Sequence, residues 1–275
     1  MRAEPQRAAA RIAVIGHGAM GRYLLPRLAQ LLPRAELALV LRDTPDKVPA
    51  GTTVLTGAAP LLAWQPGLLI ECAGHGAVRE HVPGALRAGV DAIITSVGAL
   101  ADAGLRAELE ASALAGASRL ITVAGAIGGL DALDAARSAG LDSVRYIGRK
   151  PPLSWSGTPA ADAFDLAALT QPTVIFEGSA GASARAYPKN ANVTAAVALA
   201  GIGFERTEVT LVADPRVTQN CHELEVRGAF GEFQIRLANA PLPDNPKTSW
   251  LAALSLEAQI RAYFGLASSA EGARA

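Results

Sequence analysis

Three glycines near the start of the chain have the spacing with which proteins hold a pyrophosphate. Residues 16–21 read G-H-G-A-M-G, after a short apolar run and before a helical pattern. The first glycine permits a tight turn, the second lets backbone approach the phosphates, and the third lets the helix pack closely on the strand. N–H groups of the helix N-terminus would then face the phosphates. The residues expected to hold a dinucleotide are Gly16, Gly18, Ala19, Met20 and Gly21; a structural turn is the alternative interpretation.

His222 is the residue best suited to move a proton. Imidazole changes protonation state near neutral pH, and His222 opens a predicted strand after the sequence Ala-Asp-Pro at 213–215. From the residue alone, an ordinary strand histidine is the favoured interpretation. We interpret His17 and His75 as exposed loop residues, and His81 as a surface or packing residue of a helix.

Carboxylate or amide recognition is expected around two helix starts. Lys189, Asn190 and Asn192 precede or open one predicted helix, and Lys247 precedes another. The Asn side chains could cap the helix or hydrogen-bond a carboxamide or carboxylate. Lys189, Asn190 and Lys247 are therefore candidate substrate-binding residues.

Two strand ends would shape the remainder of a dinucleotide site. Arg42 and Asp43 end the second predicted strand, about 20 positions past the glycines, where an acid bonds a ribose 2′-hydroxyl and an arginine accommodates a 2′-phosphate. With both present, NAD and NADP both stay open. Cys72, Ala73 and Gly74 end a buried strand and leave room for a nicotinamide ribose.

Strands alternate with helices through the first half of the chain, which predicts a parallel sheet covered on both faces. Beyond residue 143 the strands change character, and 223–227 and 232–237 alternate apolar with polar residues across a glycine-bearing link. That pattern predicts an antiparallel hairpin in a second, mixed α/β domain. A final helix is expected over 250–264, capped by Thr248 or Ser249.

Composition limits the partners. The 275 residues carry no formal net charge, and no run of like charges favours nucleic acid or an anionic membrane surface. The two cysteines, Cys72 and Cys221, lack zinc-site or disulfide spacing, so no metal and a reducing cytoplasm are expected. No apolar stretch is long enough to span a membrane. Residues 1–10 are predicted to be a loose tail, and a small molecule is the expected partner.

The chain resembles the L-aspartate dehydrogenase family along nearly its whole length. The blocks that carry the resemblance are GHGAMG (16–21), ECAGHGAVREH (71–81), SVGAL (96–100), GAIGGLDAL (125–133), KPP (150–152), YPKNANVTAA (187–196), ADP (213–215), NCHELEVRGAFG (220–231) and NPKTSWLAALS (245–255). Several such blocks in one order are far more specific than a glycine motif alone.

The resemblance implies a fold and a set of roles. His222 would be the catalytic acid/base, Ala126 would bind cofactor through its backbone amide, and Asn192 would contact the nicotinamide end. The expected fold is α/β: a Rossmann dinucleotide-binding domain over 1–125, completed by 245–275, and a catalytic and dimerisation α/β domain over 126–244. Its mixed sheet would support a homodimer, and the last helix would pack back on the first domain.

The implied reaction is reversible oxidative deamination of L-aspartate to iminosuccinate, and then to oxaloacetate and ammonia, with NAD or NADP as cofactor. Two alternatives stay open at this point. One is a sibling reductase of another small acid, of the dihydrodipicolinate or homoserine type. The other is a non-catalytic NAD(P)-binding regulator.

Overall fold

A computed structural model describes residues 10–42, 48–243 and 245–266, without the side chains of Lys189, Pro246 and Lys247. The predicted tail at 1–10 therefore lies outside the described residues except for Ala10. Asp43, half of the prediction about the ribose, lies outside them too.

Six parallel strands form the first sheet, as the alternation predicted. They are β1 (Arg11–Ile15), β2 (Glu36–Leu41), β3 (Thr52–Thr56), β4 (Leu68–Glu71), β5 (Asp91–Ile94) and β6 (Leu120–Thr122). Their spatial order is β3-β2-β1-β4-β5-β6. The order reverses between β1 and β4, the position at which open α/β sheets bind ligands at their carboxyl edge.

Four helices connect these strands. They are α1 (Ala19–Leu31), α2 (Ala58–Ala63), α3 (His75–Arg87) and α4 (Ala103–Gly116). Sequence reasoning missed β3 and α2. β3 is an edge strand of sequence TTVLT with no fully buried residue, and α2 is only six residues long, so neither presents a strong apolar pattern.

Two glycines of the first turn are required by packing. Gly16 has φ +95°, and a Cβ there would lie 2.8 Å from the Cβ of Ala73. A Cβ at Gly21 would lie 2.1 Å from the carbonyl oxygen of Gly16, because α1 begins directly against the turn. The turn, the start of α1 and the loop after β4 are therefore held in contact.

Five strands form the second, mixed sheet. They are β7 (Leu141–Lys150), β8 (Thr173–Ser179), β9 (Glu208–Ala213), β10 (Asn220–Gly228) and β11 (Gly231–Asn239), in the order β11-β10-β7-β9-β8. β7 and β9 are parallel and the other pairs antiparallel. The predicted hairpin is confirmed: β10 and β11 pair from Asn220↔Asn239 to Gly228↔Gly231.

Four helices belong to the second domain. They are α5 (Leu130–Arg137), α6 (Pro159–Ala163), α7 (Ala180–Ala186) and α8 (Ala191–Ala200). A 3₁₀ turn over Val97–Ala101 packs against α8, and Gly98 approaches so closely that a Cβ would lie 2.9 Å from the Cβ of Ala191. One apolar core consequently runs from the first sheet to the second.

The last helix, α9 (Trp250–Phe264), returns to the first domain as predicted. Its Leu256 and Ile260 are fully buried in the same cluster as Leu24 and Leu28 of α1. The predicted N-cap position is confirmed at Ser249, although β12 (Pro241–Leu242) and β13 (Asn245–Ser249) form a small ladder before the helix. Ser249 holds the N-cap position without a capping side-chain bond, because its Oγ instead accepts a hydrogen bond from the Nδ2 of Asn220 at 3.1 Å.

Within the described ranges, none of the helices combines the length and the apolar character that crossing a bilayer demands.

Candidate active site

A cleft of about 340 Å³ separates the carboxyl edge of the first sheet from the inner face of the second. The sequence-predicted residues that line it come from both domains. They are Met20, Cys72, Ala73, Gly74, Ala126, Asn190, Asn192 and His222. The structure thus brings together residues as far apart in the chain as Met20 and His222, at the topological switch point where open α/β sheets bind their ligands.

A second cavity of about 330 Å³ meets this cleft at Ala73. Gly16, Arg42 and His81 are among its lining residues, and Arg42 is exposed at the end of β2. The two cavities together follow the carboxyl edge on both sides of the β1–β4 switch point. This arrangement suits an extended ligand whose one end reaches Arg42 and whose other end reaches His222.

Gly18 supplies the fit test for a dinucleotide. Gly16 and Gly21 are demanded by packing, whereas a Cβ at Gly18 would meet nothing within 4 Å. Gly18 is also the N-cap of α1 and provides no side-chain cap, and α1 has no acidic residue in its first turn. The space and the uncapped helix start both fit a pyrophosphate at this point.

Glu71 fixes the loop after β4, which lines the cleft. Its side chain is fully buried at the end of β4, and its Oε1 accepts hydrogen bonds from the backbone N–H groups of Ala73 and Gly74, both at 2.7 Å. Ser96 donates its backbone N–H and its hydroxyl to the same carboxylate, at 3.1 and 2.9 Å. A buried carboxylate so fully bonded holds the ends of β4 and β5 together.

Cys72, in the same loop, is half-buried. Burial, and after it the charge of Glu71, raises its pKa well above that of an ordinary thiol. Cys72 therefore lines the cleft as a neutral thiol rather than as a thiolate.

His222 stands on β10 and is 4% exposed. Its Nδ1 and the hydroxyl of Tyr146 are 2.7 Å apart, whereas its Nε2 is buried and has no hydrogen-bond partner among the described residues. Burial, and after it the positive charge of Lys150, lowers the pKa of His222 to about 3. The ring is therefore neutral near pH 7, with one nitrogen held and the other available to a ligand.

Tyr146 owes its position to a glycine two residues along β7. A Cβ at Gly148 would lie 2.8 Å from the Tyr146 hydroxyl, so only glycine leaves that oxygen in place. Gly148 pairs with His222 across the β7–β10 ladder. Burial raises the pKa of Tyr146, which keeps its hydroxyl protonated beside the imidazole.

Lys150 was missed from the sequence, although the block that contains it was noted. It ends β7 on the face that carries Tyr146, and its Nζ donates to the Oδ1 of Asn190 and lies 5.2 Å from the centroid of the Trp155 ring. Burial lowers its pKa to about 8. The sequence signal that could have identified Lys150 is its two-residue spacing from Gly148 and Tyr146, which places all three residues on one face of a strand.

The two asparagines are not helix caps. Asn190 is at the N-cap position of α8 without a capping side-chain bond, and its Oδ1 instead receives Lys150. The Oδ1 of Asn192 accepts the backbone N–H of Gly98 at 3.0 Å, across the two domains. Ala126 is held by its carbonyl, which accepts from the Nδ2 of Asn239 at 2.7 Å.

Two of the other histidines differ from their interpretation as exposed residues. His17 and His75 are half-buried, and the Nε2 of His75 would lie 2.7 Å from a Cβ at Gly98. His81 is buried, as the packing interpretation of that residue held, and burial lowers its pKa. The side chains of Lys189 and Lys247 lie outside the described residues, so their roles stay predictions. Over the same described part of the chain, no group of His, Cys, Asp and Glu could hold a metal ion.

A dinucleotide-type sheet that faces a buried histidine across a cleft defines the class of two-domain NAD(P)-dependent oxidoreductases. The comparisons with known proteins narrow that class. Residues 131–263 match the family described as "Aspartate dehydrogenase, C-terminal", and residues 16–122 match "Homoserine dehydrogenase, NAD binding domain".

Relatives named as L-aspartate dehydrogenases match this chain over most of its length. The L-aspartate dehydrogenase of Cupriavidus necator is 46% identical over 251 residues, which cover 89% of this chain and 94% of that protein. The L-aspartate dehydrogenase of Pseudomonas aeruginosa is 47% identical over 253 residues, with the same shares. The crystal structure of aspartate dehydrogenase from Thermotoga maritima matches with a TM-score of 0.73 at 27% identity, covering 94% of this chain and 97% of that one. The chain belongs to the L-aspartate dehydrogenase family.

Proposed function

We propose that this chain catalyses the NAD(P)-dependent oxidative deamination of L-aspartate to iminosuccinate, which water converts to oxaloacetate and ammonia. The observation that carries the proposal is that the Nε2 of His222 has no hydrogen-bond partner among the described residues, while His222 lines the cleft opposite the carboxyl edge of a dinucleotide-type sheet. Family membership supplies the substrate, because the curated relatives are named L-aspartate dehydrogenases.

The cofactor would lie along the two connected cavities. Gly16, Gly18, Ala19, Met20 and Gly21 would hold its pyrophosphate at the start of α1. The residues proposed for its nicotinamide end are Cys72, Ala73, Gly74, Ala126 and Asn192. Since the Oδ1 of Asn192 is occupied by Gly98, its amide N–H groups are the ones left for a carboxamide. Bound NAD(P) supplies the acceptor for the hydride that leaves the substrate Cα.

Arg42 is proposed to face the adenosine ribose. Its exposed guanidinium lines the second cavity and suits a 2′-phosphate, and a 2′-hydroxyl also fits beside it. We therefore propose that both NAD and NADP are used.

His222 is proposed to carry the protons of the reaction. Its neutral ring can accept a proton at Nε2 from the substrate ammonium, which frees the nitrogen lone pair that the forming C=N bond needs. For Nε2 to accept, Nδ1 must hold the ring hydrogen and donate it to the Tyr146 oxygen. Once that proton has passed from Nε2 to solvent, Nε2 can accept a proton from the water that attacks the imine carbon.

Substrate carboxylates are proposed to be bound by Asn190, Lys189 and Lys247. Asn190 lines the cleft, and the backbone of Lys189 precedes it in a 3₁₀ turn over Pro188–Asn190. Lys247 is in β13, whose neighbours Thr248 and Ser249 line the same cleft.

A cytoplasmic homodimer is proposed as the assembled form. Both cysteines are free, which suits a reducing compartment. β11 forms one edge of the second sheet and is nine residues long, and an edge of that length is normally covered. The domain limits remain a prediction: 1–125 with 245–275 for the first domain, and 126–244 for the second.

The test is oxidation of NADH and of NADPH by oxaloacetate, with and without ammonium. We expect turnover only when ammonium is present, because the imine that accepts the hydride forms from ammonia and the keto acid. Parallel reactions with dihydrodipicolinate and with aspartate semialdehyde examine the sibling reductases.

Ammonium-independent turnover, or turnover with a sibling substrate alone, would contradict the proposal. Tight NADH binding without turnover of any of these acids would instead favour the regulator. The ratio of kcat/KM for NADH and NADPH measures the proposed dual preference.

A further inference from the structure

Lys150 is a cation with no acidic partner in the part of the chain that the structure describes. Its Nζ contacts the neutral amide of Asn190 and the face of Trp155, and no ion pair includes it among the described residues. Burying an ammonium without a counter-ion is costly, and folded proteins retain such a group mainly where a ligand supplies the opposite charge. The missing charge therefore points to an anion.

None of the described side chains that line the cleft around Lys150 can serve as that anion. Its titratable lining residues, over the described part of the chain, are Cys72, Tyr146, Lys150 and His222, and none is a carboxylic acid. Burial raises the pKa values of the Cys72 thiol and the Tyr146 hydroxyl, so neither is an anion near pH 7. His222 is neutral there as well.

Geometry places Lys150 beside the position where proton transfer occurs. Lys150 and Tyr146 belong to one face of β7, and Gly148 between them pairs with His222. The charge of Lys150 is close enough to lower the pKa of His222. An anion that contacts the ammonium is thus held next to the free Nε2 of the imidazole.

We infer that Lys150, fixed by Asn190 and Trp155, is the principal cation that binds a substrate carboxylate and so selects a dicarboxylic acid over a monocarboxylic one. The inference rests on the proposed function for the identity of that acid. It assigns to Lys150 the part for which Lys189 and Lys247 were predicted, with Asn190 acting by orienting the ammonium.

The test measures binding rather than turnover. NADH-saturated protein is titrated with succinate by calorimetry from pH 6.5 to 9.5, because succinate has both carboxylates and neither an amine nor a carbonyl to react. Butyrate, with one carboxylate and the same chain length, is the matched ligand. We expect succinate to bind and butyrate to bind at least about tenfold more weakly, the loss of one charged contact.

Lys150→Met should weaken succinate binding at pH 7 by at least about 30-fold, while the NADH affinity stays as it was. Lys150→Arg should retain binding. Because the ammonium loses its proton as the pH rises through about 8, succinate affinity of the unaltered protein should fall by about tenfold per pH unit above that value. Lys150→Arg should move this break beyond pH 9.5, and Lys150→Met should abolish it.

Arg137→Met is the matched control, since Arg137 is a half-exposed cation on α5 paired with Asp134. Unchanged succinate binding by Lys150→Met, a pH break that persists in that variant, or a larger loss in Lys189→Met or Lys247→Met would each overturn the inference. The inference and the proposed activity can fail independently. Ammonium-dependent turnover can be absent although succinate binding still requires Lys150. Turnover can equally be present although succinate binding does not require Lys150.

Discussion

Two walls of the candidate site are built in different ways. The glycine wall is the turn of Gly16, Gly18 and Gly21 with the adjoining loop of Ala73 and Gly74; this loop lines the cleft, and Gly16 lines the second cavity. The polar wall, formed by Tyr146, Lys150 and His222, presents buried or half-buried side chains with altered pKa values. We expect the first wall to recognise a ligand by shape and by the N-terminus of α1, and the second by charge and proton affinity.

The two walls differ in whether the residues of the candidate site also stabilise the fold. On the glycine wall, two of the three motif glycines are required by the fold itself, so the site and the fold share residues. On the polar wall, a desolvated ammonium and an imidazole with an orphan nitrogen oppose folding. Substitutions on the two walls should therefore differ in sign as well as in size.

The largest effect is expected at His222. His222→Asn keeps a polar side chain of similar size but removes the acid/base, so kcat should fall by about 10²- to 10⁴-fold. The NADH affinity, measured by fluorescence titration, should stay unchanged because the glycine wall is intact. A kcat within about threefold of the unaltered enzyme would remove His222 from the chemistry.

Two matched substitutions in the glycine wall separate glycines needed for folding from glycines needed for ligand binding. Gly21→Ala forces a Cβ against the carbonyl oxygen of Gly16, so the free energy of unfolding should fall by about 2–3 kcal/mol. Gly18→Ala meets no atom in the free protein, so unfolding should change little while NADH binding weakens by about tenfold or more. Denaturant unfolding and NADH titration of both variants separate the two effects. Equal stability losses would show that Gly18, too, is a structural residue.

On the polar wall, a substitution should stabilise the fold. Lys150→Met removes a desolvated cation, so the free energy of unfolding at pH 7 should rise by about 1–3 kcal/mol. Burial lowers the pKa of Lys150 from 10.5 to about 8, so below pH 8 the ammonium is charged in both the folded and unfolded states and its burial cost is complete. Between pH 8 and 10.5 the unfolded chain binds more protons, and the advantage of the variant should shrink as pH rises through that window.

Thermal unfolding of Lys150→Met and of the unaltered protein measures the stability difference between them at pH 7 and at pH 10. A variant less stable at pH 7 would mean that the contacts of Lys150 with Asn190 and Trp155 outweigh its desolvation.

The sequence predicted the glycine wall better than the polar wall, for a physical reason. The glycine turn is local: strand, turn and helix lie within about 20 residues, and the spacing itself states the geometry. The polar wall depends on β7 lying beside β10, whose residues Tyr146 and His222 are 76 positions apart. Periodicity places Tyr146 and Lys150 on one face of their strand but does not say which strand is adjacent.

The errors have similar causes. β3 and α2 were missed because they are short and lie where burial is incomplete, so little apolar pattern marks them. Ser249 holds the predicted N-cap position of α9 but makes no capping side-chain bond, and Asn220, 29 positions earlier, donates to its hydroxyl instead. A capping preference is local, and a partner from another element overrode it.

Glu71 has a consequence for how a ligand enters. Its carboxylate fixes the loop of Ala73 and Gly74 and ties it to Ser96 through hydrogen bonds within the chain. The conformational entropy of that loop is therefore lost during folding rather than during association. We expect a cofactor that binds beside this loop to meet a preorganised surface, without a slow rearrangement of the loop.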